Sequence, residues 1–181
     1  MRPLAIAVTG GIGAGKSEAL QAFARRGIPT LSADEVVHRL IAEDPEVRSA
    51  LEERFGTTDR ARIGELVFAD RDELAWLEGL LHPRVRREEE RWFEALEAPF
   101  AATEIPLLYE SGGDARFDAV VVITAPDEVR AARSRYALDQ RAARLIPDEE
   151  KVRRADFAYV NDGTLEELDA FVGQVLAKLD Q

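Results

Sequence analysis

The stretch that most limits what this chain can fold into is Val8-Thr9-Gly10-Gly11-Ile12-Gly13-Ala14-Gly15-Lys16-Ser17, four glycines in ten residues ending in a lysine and a serine. Ahead of the glycines, Leu4 to Thr9 is a short apolar run and reads as a buried parallel strand. Behind them, Leu20, Phe23 and Ala24 fall at helical spacing between Lys16 and Arg26, and Gly27 supplies a stop. Gly10 to Ser17 therefore matches G-x-x-x-x-G-K-[ST] in the strand-to-helix setting that the pattern requires. Glycine allows positive φ and keeps side chains out of the way of a phosphate. The N–H groups so exposed converge on a β-phosphate as a nest, reinforced by the positive end of the helix dipole. Lys16 is placed to reach the β- and γ-phosphates and the Ser17 hydroxyl to ligate Mg²⁺. The N–H of Glu18 serves the α-phosphate, so its carboxylate must point elsewhere. Gly10, Gly11, Ile12, Gly13, Ala14, Gly15, Lys16, Ser17 and Glu18 are the candidate nucleotide-binding residues.

Along the rest of the chain, strands are expected at Ile28–Leu31, Phe100–Ile105, Phe117–Thr124 and Phe157–Val160. A long helical tract from about Ala33 to Leu96 is expected to break at Asp44-Pro45, at Gly56 to Asp59 and at His82-Pro83. Helices are also read at Asp127–Tyr136 and Arg141–Ala155. A last one runs from Thr164 to Leu179, with Thr164 and Glu167 in capping-box spacing. Strands alternating with helices imply a parallel sheet covered on both faces. The fold class is α/β, a three-layer P-loop NTPase fold with an inserted helical substrate subdomain and a short lid. One domain is expected over 1–181, with a core at 1–32, 97–129 and 156–181, an acceptor-binding insert at about 33–96 and a lid at about 130–155. Such an insert belongs over the carboxyl edge of the sheet, where α/β proteins bind ligands.

The chain has 181 residues, no cysteine and a formal net charge of −11. Neither a disulfide nor a thiolate metal site can form. The acidic balance argues against nucleic acid as a partner, because there is no broad basic surface. The first ten residues lack a basic segment followed by a long apolar run. No apolar stretch approaches the roughly 20 residues needed to cross a bilayer. No membrane partner, a cytoplasmic location and a monomer are expected.

A P-loop alone does not distinguish a kinase from a switch GTPase or a motor. The chain contains no N-K-x-D run, the usual guanine reader, and is short for a motor. A small-molecule kinase that closes ATP and acceptor under a lid remains. Other segments sharpen this. "TGGIGAGKS", "LSADEVV", "LVFADRDELAWLEGLLHPRVRR", "EIPLLYESG" and "ADFAYVNDG" stand in an order and spacing that resembles the dephospho-CoA kinase family over nearly the whole chain. The resemblance implies ATP-dependent phosphorylation of the 3′-hydroxyl of dephospho-CoA, with Mg²⁺ as cofactor and ATP and dephospho-CoA as the small-molecule partners. It places Asp34 beside the acceptor hydroxyl, assigns His82, Pro83, Leu107 and Glu110 to acceptor binding, and puts Asn161 near the adenine. The chain departs from the family pattern at Ser32-Ala33-Asp34, where D-A-D is usual, at Glu18, where threonine is usual, and in a shorter lid tract. Another small P-loop kinase, acting on a nucleotide or sugar, and a non-catalytic ATP sensor are the alternatives.

Several residues have two readings. Asp34 either caps a helix starting at Glu35 or accepts a proton from the attacking hydroxyl, and it can do both. His82 lines the acceptor pocket, serves as the general base or is structural, and His38 has no partner suggesting a metal site. Glu104 either joins Ser17 in holding Mg²⁺ through water or is a buried carboxylate satisfied by an arginine. In the arginine-rich tract, Arg130, Arg153 and Arg154 read as surface. Arg133, Arg135, Arg141 and Arg144 are candidates for the phosphates, with Arg133, Arg135 and Arg141 as the catalytic set beside Lys16 and Asp34.

Overall fold

A computed structural model describes residues 2–133 and 145–181. Among them the strands are β1 (Leu4–Gly10), β2 (Thr30–Ser32), β3 (Phe100–Glu104), β4 (Ala119–Thr124) and β5 (Phe157–Val160). The helices are α1 (Lys16–Arg25), α2 (Ala33–Glu43), α3 (Pro45–Phe55), α4 (Arg60–Ala69), α5 (Arg71–Glu94), α6 (Asp127–Arg133), α7 (Asp148–Arg154) and α8 (Leu165–Leu179). The strands form one sheet in the order β2-β3-β1-β4-β5, and every pairing is parallel. Ile6 and Val8 of β1 and Val121 and Ile123 of β4 share one core with Phe23 of α1 and Leu168, Val172 and Val175 of α8. Because side chains alternate along a strand, Ala5, Ala7, Val120 and Val122 face the other way, and they too are buried. Both faces of the sheet are covered, which gives the three layers expected.

The strand edges move for local reasons. β2 starts two residues later than its apolar run, after Pro29, which has no N–H to give to a ladder; its carbonyl still accepts from Ala102 at 2.9 Å. β4 starts at Ala119 because the Phe117 N–H closes a 3₁₀ turn on Asp114. Leu145 to Pro147 is not helical, so the described part of the expected 141–155 helix is α7 alone.

The chain divides into two compact units, residues 1–32 with 96–181, and residues 33–95. The second unit holds α2 to α5 around buried Val36, Leu40, Val47, Leu51, Ile63 and Val85. Asp44 caps α3 through the N–H groups of Glu46 and Val47, with Pro45 in the first turn, where its missing N–H costs nothing. Asp70 caps α5 in the same way and supplies a break that was not expected from the sequence. The expected break at His82-Pro83 is absent, since α5 runs unbroken from Arg71 to Glu94 with Pro83 inside it. Leu81, Val85 and Glu89 are buried at four-residue spacing across the proline, so continuous packing of one face outweighs one lost backbone hydrogen bond.

No helix among the described residues is long and apolar enough to cross a membrane.

Candidate active site

The registers Val8 with Glu104 and Ser32 with Glu104 bring the carboxyl ends of β1, β2 and β3 side by side. From that edge the chain turns through Gly10 to Gly15 into α1. Gly15 has φ 97°, and no side chain caps the helix there. A Cβ at Gly15 would collide with Nδ2 of Asn161, so glycine is required twice over, for its backbone angle and for space. First-turn N–H groups left uncapped by side chains at a positive helix end suit an anion.

Lys16 folds back over this loop and donates from Nζ to the Gly11 carbonyl at 3.0 Å. The Ser17 hydroxyl donates to Oε1 of Glu104 at 3.3 Å, and Glu104 is buried. These two hard oxygen donors from one helix start and one strand end fit Mg²⁺, which prefers a few carboxylate or hydroxyl oxygens and keeps much of its water. Among the described residues no group of three or more His, Cys, Asp or Glu side chains gathers as a metal cage. The Glu18 carboxylate pairs with Arg25 at 2.9 Å along the outer face of α1. Ile12 is held through its carbonyl, and Gly13 and Ala14 complete the turn, with the Ala14 N–H bonded to Gly11 at 3.3 Å.

Asn161 is buried behind the loop. Its Nδ2 donates to the Ala14 carbonyl at 2.8 Å and its backbone N–H to Thr124 at 2.7 Å, while its own carbonyl accepts from Nη1 of Arg133 at 3.2 Å. This brings Arg133, exposed at the end of α6, to the residue that braces the loop. Arg135, Arg141 and Arg144 lie outside the described residues. The surface reading of Arg130 does not hold. Its side chain is only 13% exposed, donates from Nε to the Ile12 carbonyl at 2.9 Å and pairs with Asp148 at 3.2 Å. Sequence reasoning missed it because its partner on the loop is 118 residues away. The one available signal was an arginine in the short helix after the fourth strand. Arg154 pairs with Asp114 at 3.0 Å and lies over the Tyr109 ring, 4.2 Å from its centroid.

Leu107 is half-buried in the turn after β3. Glu110 accepts from the Ile146 N–H at 3.1 Å and pairs with Lys151 of α7 at 2.9 Å. Lys151 is 0% exposed, an unusual position for a lysine, and the charged sequence around it hid this role. Burial raises the pKa of the Tyr109 phenol in the same region.

In the second unit, α2 begins at Ala33, so Asp34 stands inside the first turn, and the capping reading of the two does not hold. It is exposed, with no hydrogen-bond partner among the described residues. His82 and Pro83 lie in the interior of α5, and burial lowers the pKa of His82, assisted by Arg86 and opposed by Glu78. His38 is exposed on α2.

Residues 4–167 match a family model described as dephospho-CoA kinase. A dephospho-CoA kinase of Thermosynechococcus vestitus is 37% identical over 98% of this chain and 96% of its own length. Among solved structures, the protein TT1252 of Thermus thermophilus superposes with a TM-score of 0.84 at 35% identity, covering 99% of each chain. The dephospho-CoA kinase of Campylobacter jejuni superposes with a TM-score of 0.69 at 26% identity, over 98% of this chain and 97% of its own.

Proposed function

This chain belongs to the dephospho-CoA kinase family, and from that premise we propose which of its residues carry the family's reaction. That reaction is transfer of the γ-phosphoryl group of ATP to the 3′-hydroxyl of dephospho-CoA, giving coenzyme A and ADP. Phosphoryl transfer leaves little covalent work to the protein, so positioning and charge neutralisation dominate. The N–H groups from Gly11 to Glu18 cradle the phosphates. Lys16, now on the Gly11 carbonyl, exchanges that acceptor for phosphate oxygens. Ser17 and Glu104 would hold Mg²⁺, and the ion would supply positive charge to offset what develops on the transferring phosphoryl group. Asn161 lies on the adenine side.

Asp34 takes the proton of the attacking hydroxyl. Residues from about 33 to 96 form the acceptor subdomain, where His82 and Pro83 contribute, and Leu107 and Glu110 contribute from the turn after β3. Residues 130–155 form the lid, with Arg133, Arg135 and Arg141 as the arginines that meet the phosphates. Arginine suits the task because its planar fork spans two phosphate oxygens. The working unit is a monomer in the cytoplasm.

The Ser17–Glu104 contact carries this reading, because it sets a serine hydroxyl and a buried carboxylate together immediately after the lysine of a phosphate loop. Incubation with Mg-ATP and dephospho-CoA, followed by mass spectrometry, tests it. Coenzyme A is the expected product. ATP turnover without coenzyme A, or an acceptor other than dephospho-CoA preferred in competition, would refute it.

A further inference from the structure

Arg130 is the first arginine of α6, and its guanidinium reaches three partners. Nε donates to the Ile12 carbonyl at 2.9 Å, and Nη1 meets Asp148 at 3.2 Å and Asp127 at 3.4 Å. The contact with Ile12 also orients the N–H of the next residue. The described peptide bonds are all trans, so the Ile12 C=O and the Gly13 N–H point in opposite directions. With the carbonyl drawn to Arg130, the Gly13 N–H faces away from α6 and makes no hydrogen bond among the described residues. Gly13 has φ 74° and a Cβ there would press on the Arg130 backbone, so the position is reserved for glycine. Glycine also makes the preceding peptide easy to flip, since both signs of φ are open to it.

We propose that Arg130 is a positioning residue that prevents this flip, holding the Ile12–Gly13 peptide with its N–H turned to the phosphates. Asp148, at the start of α7, steadies the guanidinium in that role. The inference rests on the nucleotide reading above. It makes an atom-specific demand, because the donor that matters is Nε. In glutamine the side-chain nitrogen is separated from Cβ by the same number of atoms as Nε in arginine, whereas lysine has a methylene at that place.

Calorimetric titration of ADP and of inorganic tripolyphosphate into wild type, Arg130→Gln, Arg130→Lys and Arg130→Ala tests this. Arg130→Gln should stay within about threefold of wild type for both ligands. Lys and Ala should bind about tenfold more weakly, the scale of one hydrogen bond to a charged group. The KM for dephospho-CoA should move less than about twofold in all three, a split that general loss of structure would not produce. Lysine matching wild type while glutamine binds as weakly as alanine would overturn the proposal in favour of the charge pair with Asp148. Unchanged affinity in every variant would overturn it outright. Gln and Lys keep most of the side chain, so their comparison decides the matter if Arg130→Ala fails to fold. A wild type that binds neither ligand would remove the nucleotide reading and this inference together, whereas normal wild-type binding with indifferent variants removes the inference alone.

Discussion

Asn161→Ala separates two roles for a single amide. The resemblance puts this residue beside the adenine, whereas its Nδ2 is bonded at 2.8 Å to the Ala14 carbonyl in the middle of the phosphate loop. Asn161 is only 6% exposed, so alanine leaves the Ala14 carbonyl without its donor in a buried setting, a loss of about 1–3 kcal/mol. That energy is spent holding the loop in one shape. When the competent shape is only fractionally populated, apparent affinity falls by that fraction. Each 1.4 kcal/mol or so is tenfold, so the nucleotide affinity is expected to drop by about ten- to a hundredfold. A loop brace acts on the phosphates and ignores the base. ADP, GDP and inorganic tripolyphosphate should therefore weaken by the same factor in calorimetric titrations of the variant against wild type. Asn161→Asp should be worse than alanine, because it sets a carboxylate oxygen against a carbonyl oxygen at hydrogen-bond distance. If ADP weakens while tripolyphosphate binds as before, the bracing argument is wrong and the amide works at the base.

Four further outcomes are expected. Lys16→Ala should retain less than a tenth of wild-type kcat, a barrier change of at least about 1.4 kcal/mol, with an unchanged circular dichroism spectrum; higher activity would remove the lysine from the transition state. Asp34→Asn should lower kcat by about 10²- to 10⁴-fold with little change in the KM for ATP, and near-wild-type turnover would show that its carboxylate takes no proton. Lys151→Met should leave the largely buried Glu110 carboxylate without its cation and lower stability by about 3 kcal/mol in urea unfolding, whereas the double variant with Glu110→Gln should recover part of that loss. The folded-state pKa of His82 lies below its ordinary 6.5, so its contribution to stability is present above that pH and fades as pH falls through the folded value. His82→Gln should accordingly flatten the drop in urea midpoint on acidification from pH 7, and an identical slope in both proteins would remove His82 as its source.

The sequence by itself determined whatever depends on neighbours within about one turn of chain. The phosphate loop was legible because its glycines, its lysine and its flanking strand and helix are consecutive in the chain. The same holds for the Thr164–Glu167 capping box and the Asp44-Pro45 helix start, where donor and acceptor lie two or three residues apart. The apolar runs of β1 and β4 likewise announced strands buried on both faces, hence a parallel sheet between helices. Tertiary structure decided what is made by contact across the chain. The strand order β2-β3-β1-β4-β5 is one such decision, and it sets Ser32 and Glu104 beside each other and Glu104 against Ser17. Arg130 on Ile12, Asn161 on Ala14 and Lys151 on Glu110 join residues 118, 147 and 41 positions apart, so no periodicity or cap pattern could announce them. Pro83 shows the reverse case, a local signal overruled: burial of Leu81 and Val85 on one face of α5 is worth more than the single hydrogen bond a proline withholds. Local signals report which backbone shape is least costly in isolation, and packing chooses among those shapes once it can bury a continuous apolar face.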